Sequence, residues 1–554
     1  MKRYNLINNV LGWACFLVAA ITYLLTIEPT ASFWDCPEFI SQGAKLEVGH
    51  PPGNPIFMLA ARFFVTLFGG IGNAAVAVNC MSALLSAGTI LLLFWTITHL
   101  ARRLVVRDGS DCVSAMQTFV IMGAGVCGAL AYTWSDTFWF SAVEGEVYAF
   151  SSFCTALVFW LILKWENRAD SPHSDRYLIL IAYVIGISIA VHLLNLLCIP
   201  AIGLVFYYRK FKNINVKGSL IALALSCAVI VLILFGLVPG FMKVAQAFEL
   251  FFINGIGLSY NMGVLIYAVL LVAVMVWTIR ELYVQRSAMR IKTGFLLSIL
   301  LSGIPFIGHS ALIPSLLLIG LIVYLWIFCK KIPVRVFNVV ILSIFVIFIG
   351  YSSYALLLIR ANANTPMNQN GPDNVFALAT YMSREQYGDT PLLVGPTFAD
   401  ELVTVTDPQS QEVFVAVDEN GYPRTKAVSP YLRTYDGAVI DQGSMGYAPK
   451  VKHSPDEPDE YVKAVNKVDY RTSPSLDMFF TRIFSSKDSD VAGYKGWSEY
   501  EADYFAPIPE QVRAEWAEYG YVPYVEVAPY LVNTTVMDTR LDNDGNLAEP
   551  VMVW

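Results

Sequence analysis

The sequence predicts an α-helical polytopic membrane protein with a mixed α/β, water-facing region at its C-terminal end. Three observations predict it. The 554 residues are 56% hydrophobic, with a mean hydropathy of +0.53, which is too apolar for a soluble globular chain. Residues 1–360 carry 23 Lys and Arg against 14 Asp and Glu, while 361–554 carry 14 against 30, so a basic apolar part precedes an acidic one. Long apolar runs recur throughout the first part and stop near residue 360.

The first run, 9–27, follows Lys2 and Arg3. It has the outline of a signal peptide, but its apolar core is long and no clear A-x-A site follows, so it reads as an uncleaved first span. Further runs lie at 55–70, 75–100, 115–133, 147–164, 177–207, 218–239, 262–279, 294–328 and 336–359. A span needs roughly 20 apolar residues. The runs 177–207 and 294–328 are long enough for two short crossings each, whereas 55–70 is short and carries Arg62.

Basic residues fix the expected count, because Lys and Arg collect on the cytoplasmic side. The clusters are Arg102/Arg103/Arg107, Lys164/Arg168/Arg176, Arg209/Lys210/Lys212/Lys217, Arg280/Arg286/Arg290/Lys292 and Lys330/Lys331/Arg335. All of them, with Lys2 and Arg3, fall inside if 55–70 lies along the outer surface as an interfacial helix and both long runs cross twice. About eleven spans result, with the N-terminus inside and the acidic tail outside. The expected division is 1–360, a transmembrane domain whose first outer loop is 28–74, and 361–554, an acidic extracytoplasmic domain.

This topology gathers the scarce polar groups of the first part at one face. The loop 28–54 holds Asp35, Glu38, Glu47 and His50, and the loop 134–146 holds Asp136, Glu144 and Glu146. A carboxylate at mid-membrane costs roughly 2.5–3.5 kcal/mol on the mildest scale, so these acids belong at the aqueous end. The turn within 177–207 adds His192 and Asn195, and the turn in "FIGHS" adds His309.

Each group also has a plainer reading. Asp35 and Glu38 are spaced for one helix face and also for a capping box, with Asp35 as N-cap and Glu38 reaching back. The stretch "HPPGNP" makes a rigid turn that only shapes the loop, or it presents His50 to a phosphate or hydroxyl. Glu144 and Glu146, two apart, point in different directions, so at most one faces the site. His192 lies in a strongly apolar run, where a histidine is usually a satisfied core residue.

In the tail, "QEVFVAVDENGYPRTKAV" alternates around Asn420–Gly421 as a β-hairpin does. "LDNDGNL" at 541–547 fails as a calcium loop, because Arg540 takes position one and Val551 position twelve. All nine cysteines lie between Cys15 and Cys329, mostly in apolar runs, where they act as small hydrophobes. No zinc spacing, P-loop, H-E-x-x-H or nucleic-acid-binding basic stripe is present. No metal and no cofactor are expected. The ending "EPVMVW" reads like an interruption and admits a longer parent protein.

An acidic motif after the first span, followed by His-Pro-Pro-Gly, resembles the first outer loop of GT-C glycosyltransferases. Protein O-mannosyltransferases carry an Asp-Glu pair and a similar His-Pro-Pro stretch there, and their eleven-span, N-in and C-out topology is similar too. More closely, the chain resembles a membrane protein family common in Bacteroidota, with an animal relative that is a protein O-mannosyltransferase of the secretory pathway. The stretches "FWDCPEF", "HPPGNP", "FWFSAVEGEVY", "HLLNLL" and "YMSREQYGDTPLL" carry the resemblance, in that order, over most of residues 1–393.

The resemblance implies a GT-C-like transferase in the bacterial inner membrane. Its donor would be mannose or a related hexose on a polyprenyl phosphate, and its acceptor a Ser/Thr hydroxyl of an exported protein. It further implies inversion by a single displacement, with Asp35 or Glu38 as general base. The D-x-x-E spacing, unlike an adjacent pair, leaves open which one acts. His50, Glu144, Glu146, His192, Asn195 and Arg360 are the expected substrate contacts. Lys45, His50, Arg62, Lys243 and Arg360 are the cations available to a leaving phosphate. The alternatives are a flippase for lipid-linked saccharide, which would favour charges near the midplane, and a structural part of an export machine.

Overall fold

This computed structural model describes residues 2–106, 113–308 and 310–387, and beyond them short segments between 393 and 553. The chain divides into two compact units, one of residues 1–255 with 260–383 and one of 256–259 with 384–554.

The first unit is a helical bundle. Among its described residues, eight helical stretches are long and apolar enough to cross a membrane: Lys2–Leu25, Ile71–Val105, Ala115–Thr133, Val147–Arg168, Leu193–Lys210, Val216–Gly255, Met262–Val284 and Val334–Asn362. Helix α1 (Lys2–Leu25) shows the logic. It buries Tyr4, Cys15, Ala19 and Tyr23 and exposes Leu6, Val10, Trp13, Leu17 and Ile21 at three- and four-residue spacing. Water would not tolerate that apolar stripe, and a bilayer solvates it.

The loop after α1 folds into two short helices, α2 (Cys36–Lys45) and α3 (Ile56–Leu67). Twelve residues at about 1.5 Å each fall well short of a bilayer core, so α3 is too short to span. Helix α4 (Ala74–Val105) is the axis of this half. One side of it packs Ala83, Ala87, Ile90 and Phe94 against α1 and against α5 (Ala115–Thr133). Its first turns pack Ala77, Val78 and Met81 against Phe39 and Ile40 of α2 and Phe57 and Ala61 of α3. The short α6 (Asp136–Ala142) leads to α7 (Val147–Arg168), whose Val147 closes this second cluster.

The two long apolar runs are broken, as the charge argument requires. The first splits into α8 (Asp175–Ile189) and, after a 3₁₀ turn over Leu193–Cys198, α9 (Ile199–Lys210). A long helical stretch follows, with α10 (Val216–Val231) and α11 (Val238–Leu250) joined by a π-helical segment, and then α12 (Met262–Val284). The second run splits into α13 (Ala288–Leu301) and α14 (Leu312–Val323). At 15 and 14 residues, α8 and α13 are shorter than the roughly 20 that a perpendicular span uses. His309 lies outside the described residues. Helix α15 (Val334–Tyr351) crosses α8 at a glycine pair. A Cβ on Gly350 would stand 2.5 Å from the Gly186 carbonyl carbon, the close backbone approach that small residues permit in membranes.

The helical unit continues past residue 360, through α16 (Ala355–Asn362) and α17 (Val375–Ser383). In the second unit, Ser444–Pro449 pairs antiparallel with Tyr461–Lys467. Tyr521–Glu526, Val536–Leu541 and Leu547–Val553 form a three-stranded antiparallel sheet. The hairpin expected around Asn420–Gly421 and the tip 542–546 of "LDNDGNL" lie outside the described residues.

Candidate functional site

The site is built on α2 and on the loop 46–55 that follows it. Asp35 sits at the N-cap of α2, but its backbone is helical and its side chain makes no cap bond. Glu38 does not reach back either. Its Oε1 accepts from the backbone N–H of His50 at 2.7 Å and from Gln42 Nε2 at 3.0 Å, and it lies 2.8 Å from His50 Nδ1. The capping-box reading is therefore corrected. A charge-assisted bond to an imidazole and two N–H groups is stronger than one neutral cap bond, and the loop carries His50 to where Glu38 can take it.

Glycine makes that approach feasible. A Cβ at Gly49 would strike the Glu38 carboxylate and the Gln42 amide. Gly53, at φ +109, occupies backbone space closed to other residues, and a Cβ there would meet Phe39 and Val147 at 2.6 and 2.8 Å. The peptide bonds before Pro52 and Pro55 are cis.

The other ring nitrogen of His50, Nε2, lies 3.3 Å from Asp35 Oδ2. One imidazole thus stands between two carboxylates, with Phe39 5.5 Å away, ring to ring. The three side chains differ in access: His50 is 12% exposed, Glu38 21% and Asp35 56%. The hydrogen bond to Glu38, helped by the charges of Glu38, Asp35 and Glu146, holds the His50 pKa above its ordinary value against the effect of burial. Burial pushes Glu38 up, but the bonds from the His50 ring and backbone outweigh it, and the carboxyl lies below its ordinary value. One ring nitrogen is hydrogen-bonded to Glu38, the other lies within ion-pair distance of Asp35, and both carboxylates favour the charged form of the ring.

The second loop brings two more acids. Glu146, at the N-cap of α7, is buried. Burial first, and then the charges of Asp35 and Glu144, push its carboxyl up to about 7. Glu144 instead accepts from the Ser32 hydroxyl, and burial raises its pKa as well. Of the pair, Glu146 feels Asp35 and His50, and Glu144 ties the second loop to the first.

The remaining expected residues sit further out. His192 is the N-cap of the 3₁₀ turn, its Nδ1 accepts from Leu194 N–H, and its ring lies 5.9 Å from that of Tyr148, two residues after Glu146. Asn195 is buried in the same turn, with Oδ1 accepting from Cys198 and Nδ2 without a partner. Arg360 donates to the carbonyls of Leu46 and Lys45 at 2.6 and 3.2 Å, and Arg62 donates to that of Ala44. Two guanidinium groups thus satisfy the orphan carbonyls at the C-terminal end of α2, where the helix dipole favours cations. That end is about 14 Å along the axis from Asp35. Lys45 is 3.8 Å from Glu47, and Lys243 donates to the carbonyls of Phe306 and Gly308. Among the described residues, no three His, Cys, Asp or Glu side chains are grouped to hold a metal ion.

Several contributors were not singled out from the sequence. Val48 forms a parallel bridge with Asn368, its N–H donating to the Met367 carbonyl at 3.0 Å and its carbonyl accepting from the Gln369 N–H at 2.9 Å, and the Gln369 side chain bonds Glu38. Tyr381 donates to the Gly49 carbonyl at 2.6 Å and accepts from Asn54 at 3.2 Å. Trp34 precedes Asp35 with φ 65 and 90% exposure, a backbone state rare for a bulky residue. Only Tyr381 had a signal, inside "YMSREQYGDTPLL".

Fold and site together define a polytopic helical membrane protein with a carboxylate–imidazole cluster on a loop beyond its first span. A family model described as "Protein O-mannosyl-transferase TMEM260 N-terminal domain" matches residues 35–215, which begin at Asp35 and include both acidic loops. The chain is 26% identical over 176 residues to Protein O-mannosyl-transferase TMEM260 of Mus musculus, covering 32% of this chain and 22% of that protein. It is 24% identical over 217 residues to Protein O-mannosyl-transferase tmem260 of Dictyostelium discoideum, covering 36% and 24%. The matches therefore span less than a quarter of either relative. No solved structure matches the chain.

Proposed function

We propose that the protein is a membrane glycosyltransferase that moves a mannosyl group, or that of a related hexose, from a polyprenyl phosphate to a Ser/Thr hydroxyl of an exported protein. Similarity to proteins named protein O-mannosyl-transferases supports the reaction class. The observation that carries the site assignment is the His50 ring between Asp35 and Glu38, with Asp35 the carboxylate open to an incoming molecule.

Asp35 is the general base in this reading, and Glu38 is a positioning residue. A base must reach the proton it takes and have an oxygen to receive it. Glu38 is already bonded to His50 and Gln42 and its carboxyl is held low. The acceptor oxygen attacks the anomeric carbon, its proton passes to Asp35, and the bond from that carbon to the phosphate oxygen breaks. The configuration inverts. His50 holds the Asp35 carboxylate and presents positive charge to the reacting groups, while Glu38 fixes the ring. Neither a metal nor a cofactor enters the scheme. The bundle is GT-C-like, with eleven crossings that use the short helices α8, α13 and α14. It sits in a bacterial inner membrane with the N-terminus in the cytoplasm and the C-terminal unit in the periplasm.

Asp35→Asn, nearly isosteric and without a cap bond to lose, should abolish transfer from polyprenyl-phosphate mannose by the purified, folded protein. Glu38→Gln should retain a measurable rate. Full activity in Asp35→Asn would remove the assignment, and full activity in both variants would remove the enzyme reading.

A further inference from the structure

The three helices that lead to and from the acidic loops have their other ends together, and there they form a second polar site. The first turns of α1, the last turns of α4 and the last turns of α7 enclose a cleft of about 200 Å³. It lies at the end of the bundle carrying Lys2, Arg3, Arg102, Arg103, Lys164 and Arg168. That end is roughly 30 Å from Asp35 along helices of this length.

Its chemistry is the inverse of the first site. Arg102 and Lys164 line it, together with the side-chain amides of Asn5, Asn8, Asn9 and Asn167, and among the described residues no carboxylate does. Glu166, on the same last turns of α7, is already engaged by His99 Nε2 and Arg103, each at 3.0 Å. Among the described residues, Lys164 has no carboxylate within ion-pair distance. Its Nζ stands 4.8 Å from the Trp160 ring, which stacks on Trp95 at 5.7 Å. Asn8 Oδ1 and Trp95 Nε1, on residues lining the cleft, are buried without a hydrogen-bond partner.

Cations, amide donors and an indole N–H around one small cleft match an anion with several acceptor oxygens. Stacked tryptophans at a bundle end mark the level of lipid headgroups, and a basic cluster there faces anionic lipid. We propose that this cleft binds a phosphate ester, with the headgroup of an anionic phospholipid as its source, in the leaflet opposite the carboxylate site.

Native mass spectrometry of the full chain in detergent tests this, with phosphatidylglycerol as probe and diacylglycerol as the phosphate-free control. Inorganic phosphate is added as competitor. The variants are Lys164→Gln, whose exposed side chain makes misfolding a small risk, and Lys164→Gln with Arg102→Gln. Phosphatidylglycerol should bind and diacylglycerol should not. Lys164→Gln should weaken binding about tenfold and the pair further, a charged hydrogen bond being lost each time. Displacement by millimolar inorganic phosphate, lost in the same variants, would assign the cleft to a soluble phosphate ester. Phosphatidylglycerol binding that ignores both substitutions, or no binding of either phosphate probe, would overturn the proposal.

Discussion

Replacing Glu146 by Gln should stabilise the protein at high pH and do little at low pH. The carboxyl is buried beside Asp35 and Glu144, and its pKa rises from 4.5 to about 7. A folded state that holds its proton more tightly than the unfolded chain loses stability as pH rises between the two values. The favourable contribution of the neutral acid is complete below 4.5 and is lost as pH passes through about 7. The interval corresponds to about 3 kcal/mol, most of it developing between pH 5 and pH 8. Glu146 is only 6% exposed, so solvent screening removes little of it. Gln keeps the size and the polar contacts and carries no charge. Unfolding of wild type and Glu146→Gln in the same detergent, at pH 5 and pH 8, reads the difference directly. The variant should gain stability over wild type on going to pH 8. A difference equal at both values, or one that shrinks towards pH 8, would refute the account of Glu146 as a strained buried acid.

His50→Ala removes the group that joins Asp35 to Glu38, and turnover should fall about ten- to a hundredfold, the worth of one lost charged hydrogen bond; wild-type turnover in steady-state kinetics would reduce "HPPG" to a stiff turn. Arg360→Ala leaves the carbonyls of Lys45 and Leu46 without their donor, so proteolysis within 44–55 should quicken while the helical content by circular dichroism stays unchanged. A cysteine placed at position 105 should resist a membrane-impermeant thiol reagent applied from the periplasm, and labelling from that side would contradict the eleven-span topology.

The helical boundaries were legible wherever composition alone decides them. The breaks after Ile189 and Leu301 followed from needing each basic cluster on one side, and the short α3 followed from its length and Arg62. That Asp35, Glu38 and His50 belong to one cluster was legible because all three fall within sixteen positions, but the ring standing between the two carboxylates was not. What Glu38 does with its carboxylate was not. The local pattern favours a cap, and a tertiary contact twelve residues away overrides it. Gln369 was out of reach, and Tyr381 was marked only by the resemblance of "YMSREQYGDTPLL", because hydrogen bonds across more than three hundred residues leave no periodicity behind. The choice between Glu144 and Glu146 likewise depended on where Ser32 stands, which spacing within the second loop does not encode.

The bridge between Val48 and Asn368 and the bonds of Tyr381, which reach back 327 and 332 residues, also set a timetable. The loop with the carboxylates leaves the ribosome early, yet the strand and the phenol that fasten it come after the last long helix. At roughly 5–20 residues per second, that interval lasts on the order of tens of seconds. Until it ends, the loop has its packing against α4 and α7 but not this clasp. A chain released before residue 381 would carry every acidic residue of the site with the clasp missing.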